Sequence, residues 1–214
     1  DIIEKYGADV LRMYEMFLGP LEQSKPWNTR GLSGVAGFQR KFWKLFHQGG
    51  VFNVSDAPAD KKALKAAHAC MKKVNEDIEN FSFNTAVSAF MIATNELTDL
   101  KANNREVLEP LVRLISPFAP HLAEELWEQI GGEGSVTYAT YPEHNESYLV
   151  ESSKNYPVSF NGKVRFQLEL PLDMSKNDIE KALMADERTI NYVGDKKVRK
   201  IIVIPGRIIN IVFG

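Results

Sequence analysis

The chain has 214 residues, 44% hydrophobic and 25% charged, with a net charge of -2, proportions ordinary for a soluble globular protein large enough for one or two cores. A single cysteine, Cys70, excludes an internal disulfide and a cysteine-based metal cluster, and four scattered histidines show no metal-ligand spacing. No apolar run approaches the ~20 residues needed to cross a bilayer and there is no signal-peptide pattern, so no membrane partner and a cytoplasmic location are expected.

In chain order, Ile2, Ile3, Tyr6, Val10, Met13, Tyr14 and Phe17 recur at helical spacing, and Gly19-Pro20 closes that segment. Asp9 and Arg12 are three apart on it and placed to pair. Leu21 to Gly34 reads as a loop carrying Trp27. Val35 to Phe46 is amphipathic, with Phe38, Phe42, Leu45 and Phe46 inward and Arg40, Lys41 and Lys44 outward, and Gly49-Gly50 ends it. Ala59 to Phe81 and Asn84 to Leu100 repeat the scheme. In the first of them Lys61, Lys62, Lys65, Lys72 and Lys73 are offset by nearby acids.

Glu106 to Ile115 then meets two prolines three apart. Pro117 disfavours a helical Ser116, so one helix ends there. Pro120 has a preset φ that suits the first turn of the next. That helix carries Leu122, Leu126 and Ile130 on one face and stops at Gly131-Gly132. His121 beside the bend reads as a satisfied, partly buried histidine, and Trp43 and Trp127 as core. These faces pack together as an antiparallel bundle.

Glu133 to Lys154 is acidic and aperiodic, a loop passing into a linker. Beyond it, Pro157 to Phe160 leads through an Asn161-Gly162 hairpin signal into the alternating strand Lys163 to Leu170. Ser175 caps a short helix with Asp178 in the acid position, Ile179, Leu183 and Met184 facing inward. Val198 to Ile204, a Pro205-Gly206 turn and Arg207 to Phe213 complete a β-β-α-β-β order. The expected fold is therefore a mainly α helical bundle followed by a small α+β domain. Charge is uneven along it: residues 111–154 carry 2 Lys/Arg against 7 Asp/Glu, and residues 155–214 carry 10 against 7. A nucleic-acid surface would be local rather than global.

The wording of four segments narrows the family. Ile115-Ser116-Pro117-Phe118-Ala119-Pro120-His121-Leu122-Ala123-Glu124-Glu125-Leu126-Trp127 resembles the last helices of the anticodon-binding bundle in class I aminoacyl-tRNA synthetases. Asp1 to Arg12 is similar to the segment just after the KMSKS loop of these enzymes. Gly19-Pro20-Leu21-Glu22-Gln23-Ser24-Lys25-Pro26-Trp27-Asn28 and the stretch Val198 to Val212 resemble the bacterial-type leucyl-tRNA synthetases in particular. The isoleucyl and valyl enzymes, or a helical scaffold for protein partners, are the alternatives.

The resemblance implies an organisation: residues 1–30 as the end of a stem-contact region, 31–145 as the bundle, 146–156 as a linker and 157–214 as a tRNA-binding domain. It implies leucine-accepting tRNA as partner, together with the enzyme's own catalytic domain, in a monomer. Neither HIGH nor KMSKS occurs in the chain. The parent's ATP and Mg would therefore be bound elsewhere, and these residues alone are expected to hold no cofactor and to activate no leucine. The candidate RNA contacts are Lys163, Arg165, Lys196, Lys197, Arg199, Lys200 and Arg207, with Arg40, Lys41 and Lys44 on the bundle. Arg199 and Arg207 are expected at one end of the sheet, and Lys163 and Arg165 on the other hairpin. By resemblance the small domain reaches the outer corner of tRNA, where the D and T loops meet. A solvated, lysine-rich sheet edge would give the same sequence pattern.

Overall fold

Alternation and periodicity become two separate packed units, Asp1–Leu149 and Val150–Gly214. The structure, a computed structural model, describes residues 1–150, 153–194, 196–205 and 207–214. Gly206 of the expected turn and residues 151–152 of the expected linker lie outside the described residues.

The first unit is helical: α1 (Ile2–Tyr6), α2 (Ala8–Phe17), α3 (Leu32–Phe46), α4 (Lys61–Glu79), α5 (Phe83–Asp99), α6 (Arg105–Ile115) and α7 (Pro120–Gln129). The expected single N-terminal helix is broken at Gly7, whose φ of 88° and ψ of 158° no helix accommodates. Gly49-Gly50 does more than end α3, because two-residue strands β1 (His47–Gln48) and β2 (Val51–Phe52) pair across it. The core is made by the residues whose spacing marks each inward face, among them Met13, Phe42, Phe46, Phe90, Leu97, Leu108, Leu111, Leu114 and Phe118, all almost fully buried.

The proline bend falls where expected, although Ser116 before Pro117 keeps helical angles (φ -54°, ψ -37°) rather than leaving them. The first helix ends at Ile115 and Pro120 opens the next. Ala119, the residue before α7, has no side chain to cap it. The Asp9 carboxylate does so from α2, accepting from the Leu122 N–H at 2.7 Å and facing His121 Nδ1 at 2.8 Å. Arg12 Nε donates to the Pro117 carbonyl at 3.0 Å. The expected Asp9–Arg12 pair is thus replaced by two separate ties from α2 to the bend. His121 holds its partner but is exposed, not partly buried. Trp43 and Trp127 are half-buried, packed on the core rather than inside it.

In the second unit the sheet order is β4-β3-β6-β5, from β3 (Ser153–Phe160), β4 (Lys163–Pro171), β5 (Val198–Ile204) and β6 (Ile208–Phe213). The two hairpins join through a parallel β3/β6 pair. Asn161 (φ 48°) and Gly162 (φ 83°) form the expected tight turn. The start of β3 at Ser153 lies inside the expected linker. The single expected helix is two, α8 (Lys176–Ala185) and α9 (Glu187–Val193). Asp186 is the cause: it is extended, and its carboxylate accepts from the Arg188 and Thr189 N–H groups, starting a new helix. Ser175 caps α8 as expected, with Ile179 and Leu183 inward, but Met184 is exposed. Tyr156, Val158, Ile209 and Ile211 anchor this second core.

Candidate nucleic-acid interface

The cations collect on two surfaces, one in each unit. On the bundle, α3 presents Arg40, Lys41 and Lys44 into an open groove of about 690 Å³ that Lys101, Gln48, Asn53 and Asn103 complete. Among the described residues no carboxylate lines this groove. Arg40 and Lys44 are exposed, whereas Lys41 is half-buried and its ammonium donates to Asn95 Oδ1 at 2.7 Å. Asn103 Nδ2 donates to the Asn53 carbonyl at 3.0 Å and Asn53 Nδ2 to Gln48 Oε1 at 2.9 Å, which fixes the polar wall.

Lys101 escaped the sequence reading. It follows the end of α5 with a φ of 53°, while the Ala102 N–H donates back to the Leu97 carbonyl at 2.9 Å. That helix ending normally takes glycine or asparagine. Nothing in the local pattern distinguishes a lysine there from any loop lysine.

In the small unit, register decides which cations share an end of the sheet. Phe160 of β3 pairs with Lys163 of β4 and with Ile211 of β6, and Ile211 pairs with Ile201 of β5. At that end Val198 pairs with Phe213 and Lys200 with Val212. Lys163, Arg165, Lys196, Lys197, Arg199 and Lys200 therefore gather at one end, all exposed. Arg207 sits beside the turn at the opposite end, where Ile204 pairs with Ile208. Expecting Arg199 and Arg207 together was an error of register: a hairpin places the residues after its turn beside those just before it. Arg199 lies instead along the Gly214 backbone.

Among the described residues none of these six cations has a carboxylate partner, although ion pairs are common elsewhere. Lys72 pairs with Glu146 at 2.6 Å, Lys73 with Asp77 at 2.5 Å and Arg188 with Asp186 at 2.8 Å. The lysines expected to be offset by acids are so at Lys72 and Lys73, and the sheet end is not. Hydrogen bonding to Arg188 holds the Asp186 carboxyl below its ordinary range.

Trp27 is half-exposed and meets the Tyr14 ring edge-on at 5.4 Å. Among the described residues no group of three His, Cys, Asp or Glu side chains is placed to hold a metal ion. No helix there is long and apolar enough to cross a membrane. What the arrangement offers chemically is positive charge on two surfaces, with no carboxylate partner among the described residues, suited to a polyanion.

The profile of the anticodon-binding domain of tRNA ligase matches residues 60–181, more than half of the chain. The chain belongs to that family. This anticodon-binding-domain protein is 62% identical over 212 residues to the leucine–tRNA ligase of Christiangramia forsetii, covering 99% of the chain and 22% of that protein. It is 55% identical over 212 residues to the leucine–tRNA ligase of Porphyromonas gingivalis, covering 99% of the chain and 23% of the relative. The crystal structure of a ternary complex of Agrobacterium radiobacter LeuRS with tRNA and LeuAMS superposes with a TM-score of 0.64 at 26% identity, over 100% of this chain and 30% of that one. The chain thus spans 22% of the length of its Christiangramia relative. The leucyl-tRNA synthetase resemblance carried by the sequence is borne out across the whole chain, and the bundle followed by a small α+β unit is borne out with it.

Proposed function

We propose that this chain is the tRNA-positioning region of a leucine–tRNA ligase, the enzyme that esterifies leucine to its cognate tRNA with ATP. The observation that carries this reading is the 62% identity to a leucine–tRNA ligase over 99% of the chain. Six exposed cations at one end of the small sheet, without a carboxylate partner among the described residues, and a groove on the bundle that no described carboxylate lines support it. The two surfaces bind phosphates, and the small unit takes the tRNA corner where the D and T loops meet. ATP and magnesium are handled by the parent's catalytic part; this chain holds neither HIGH nor KMSKS. The exposed Ile3, Leu21 and Trp27 are assigned to docking against that part, within a monomeric cytoplasmic enzyme.

Fluorescence-anisotropy titration of the chain with leucine tRNA at two salt concentrations tests the reading. Binding should weaken steeply with salt, and Lys197→Ala/Arg199→Ala/Lys200→Ala should flatten the slope by just under one for each phosphate no longer neutralised. Binding that ignores salt, or a triple variant indistinguishable from wild type, would remove the small unit from the interface.

A further inference from the structure

The sheet end that gathers the cations also carries the small unit's stacked rings. Phe160 stacks on Tyr192 (centroids 4.8 Å, planes 22° apart) and on Phe213 (5.7 Å, 18°). Cations terminate this run: Arg165 lies over the Tyr192 ring at 5.4 Å and Lys196 over Phe213 at 5.3 Å. Phe160 is buried, so the run is rooted in the core while its outer members reach solvent.

The unit holds a second arginine over an aromatic ring, and the contrast is informative. Arg188 lies over Phe166 at 4.4 Å, but its donors are used. Nε and Nη2 reach Asp186 at 3.0 and 2.8 Å, and Nη1 reaches the Gln167 carbonyl at 3.2 Å. That guanidinium is part of the fold. Arg165 is held over a ring in the same way, yet among the described residues no acceptor engages its donors. Its charge stands among five other exposed cations that have no carboxylate partner among the described residues. A ring that orients a guanidinium while leaving its planar edge free presents a fork matched to a phosphate, which takes two parallel N–H bonds.

We propose that Arg165 is a phosphate fork for RNA and that Tyr192 is the residue that positions it. This rests on the tRNA-binding reading and goes further by naming the residue and the chemistry it contacts. A lysine at this position keeps the charge but loses the planar fork that grips. Removing the Tyr192 ring keeps every charge but lets the arginine side chain wander, so the ordering cost returns at binding.

The test is anisotropy titration of the 214-residue chain with leucine tRNA over a salt series, comparing wild type with Arg165→Lys, Arg165→Gln, Tyr192→Ala and Tyr192→Phe. Arg165→Gln should weaken binding about tenfold and flatten the salt slope by just under one. Arg165→Lys should keep most of the slope yet still bind several-fold more weakly. Tyr192→Ala should weaken binding several-fold with no charge changed, and Tyr192→Phe, which keeps the ring, should restore it. Circular dichroism checks that Tyr192→Ala is folded; if it is not, the lysine variant decides. Arg165→Lys binding like wild type would show that a point charge suffices and overturn the fork. Folded Tyr192→Ala binding like wild type would overturn the positioning role. A weaker Arg165→Gln with an unchanged slope would mean a stacked base rather than a phosphate. Wild type failing to bind tRNA at all would overturn the underlying reading instead.

Discussion

Single residues show where the sequence speaks and where it is silent. Asp9 reads as a helix-surface acid because its partners, His121 and the Leu122 N–H, are more than a hundred positions away. Spacing rules report neighbours on one helix, not a cap supplied from another. Asp9→Ala should leave the Leu122 donor without its acceptor in a closely packed place and cost about 1–3 kcal/mol, read from urea unfolding. A loss no greater than for an exposed control such as Glu15→Ala would refute the capping role. Lys101 is silent for another reason: backbone sign is invisible in a residue's identity unless the residue is glycine. Its positive φ costs about 1–2 kcal/mol relative to an ordinary conformation, and such strain tends to persist at functional places. Lys101→Gly should raise stability by about 1 kcal/mol while weakening tRNA binding, a trade that Lys101→Gln would not share in stability. If Lys101→Gly gains stability and binds RNA as before, the groove loses this member.

At the scale of elements, the helices were legible to within a few residues because apolar periodicity and proline act locally. The bend at Pro117–Pro120 shows this, and α6 and α7 meet it as expected. The split between α8 and α9 was not legible, since Asp186 looks like any helix acid until its backbone is seen to be extended. The acidic segment after α7 also gave no period, yet it is clamped onto α4. The Asn145 N–H donates to His68 Nδ1 at 3.0 Å, the Tyr148 ring stacks on His68 at 4.6 Å, and Lys72 pairs with Glu146 at 2.6 Å. Accepting that hydrogen bond requires an unprotonated Nδ1. Burial first, then the nearby His144, holds the His68 pKa below its usual value, against a smaller opposing effect of Glu106. A histidine whose pKa is lower when folded contributes stability above its unfolded pKa of about 6.5, and loses it as pH falls toward the folded value. Stability should therefore decline between pH 7 and pH 5.5, with the Asn145 amide exchanging faster, while His68→Gln should show a smaller decline over the same range. Equal pH dependence in wild type and His68→Gln would place the titration elsewhere.

For the molecule as a whole, the net charge of -2 conceals what matters, which is where the unpaired cations stand. Counting charge by segment marked the small unit as basic, but pairing could not be counted. Arg188 belongs to Asp186 and Lys72 to Glu146, whereas the sheet-end cations have no such partner among the described residues. Register then divided the sequence cluster, keeping Lys163 and Arg165 with Arg199 and sending Arg207 to the far end. The two basic surfaces belong to separate units of one chain, so a tRNA that engages both is held bivalently. Its second engagement is then intramolecular, at an effective concentration set by the connection. Neutralising the groove with Lys44→Gln/Lys101→Gln, or the sheet end with Lys197→Gln/Arg199→Gln, removes two charges in either case. Each pair should lower affinity on its own and reduce the salt slope by up to nearly two. When one tRNA is held at both surfaces the two site affinities multiply, so the four-residue variant should lose about the product of the two fold-changes. A combined loss larger than the product would mean that the two surfaces bind tRNA as alternatives rather than together. A groove pair that leaves affinity and slope untouched would confine tRNA binding to the small unit and make the carboxylate-free groove an ordinary solvated face.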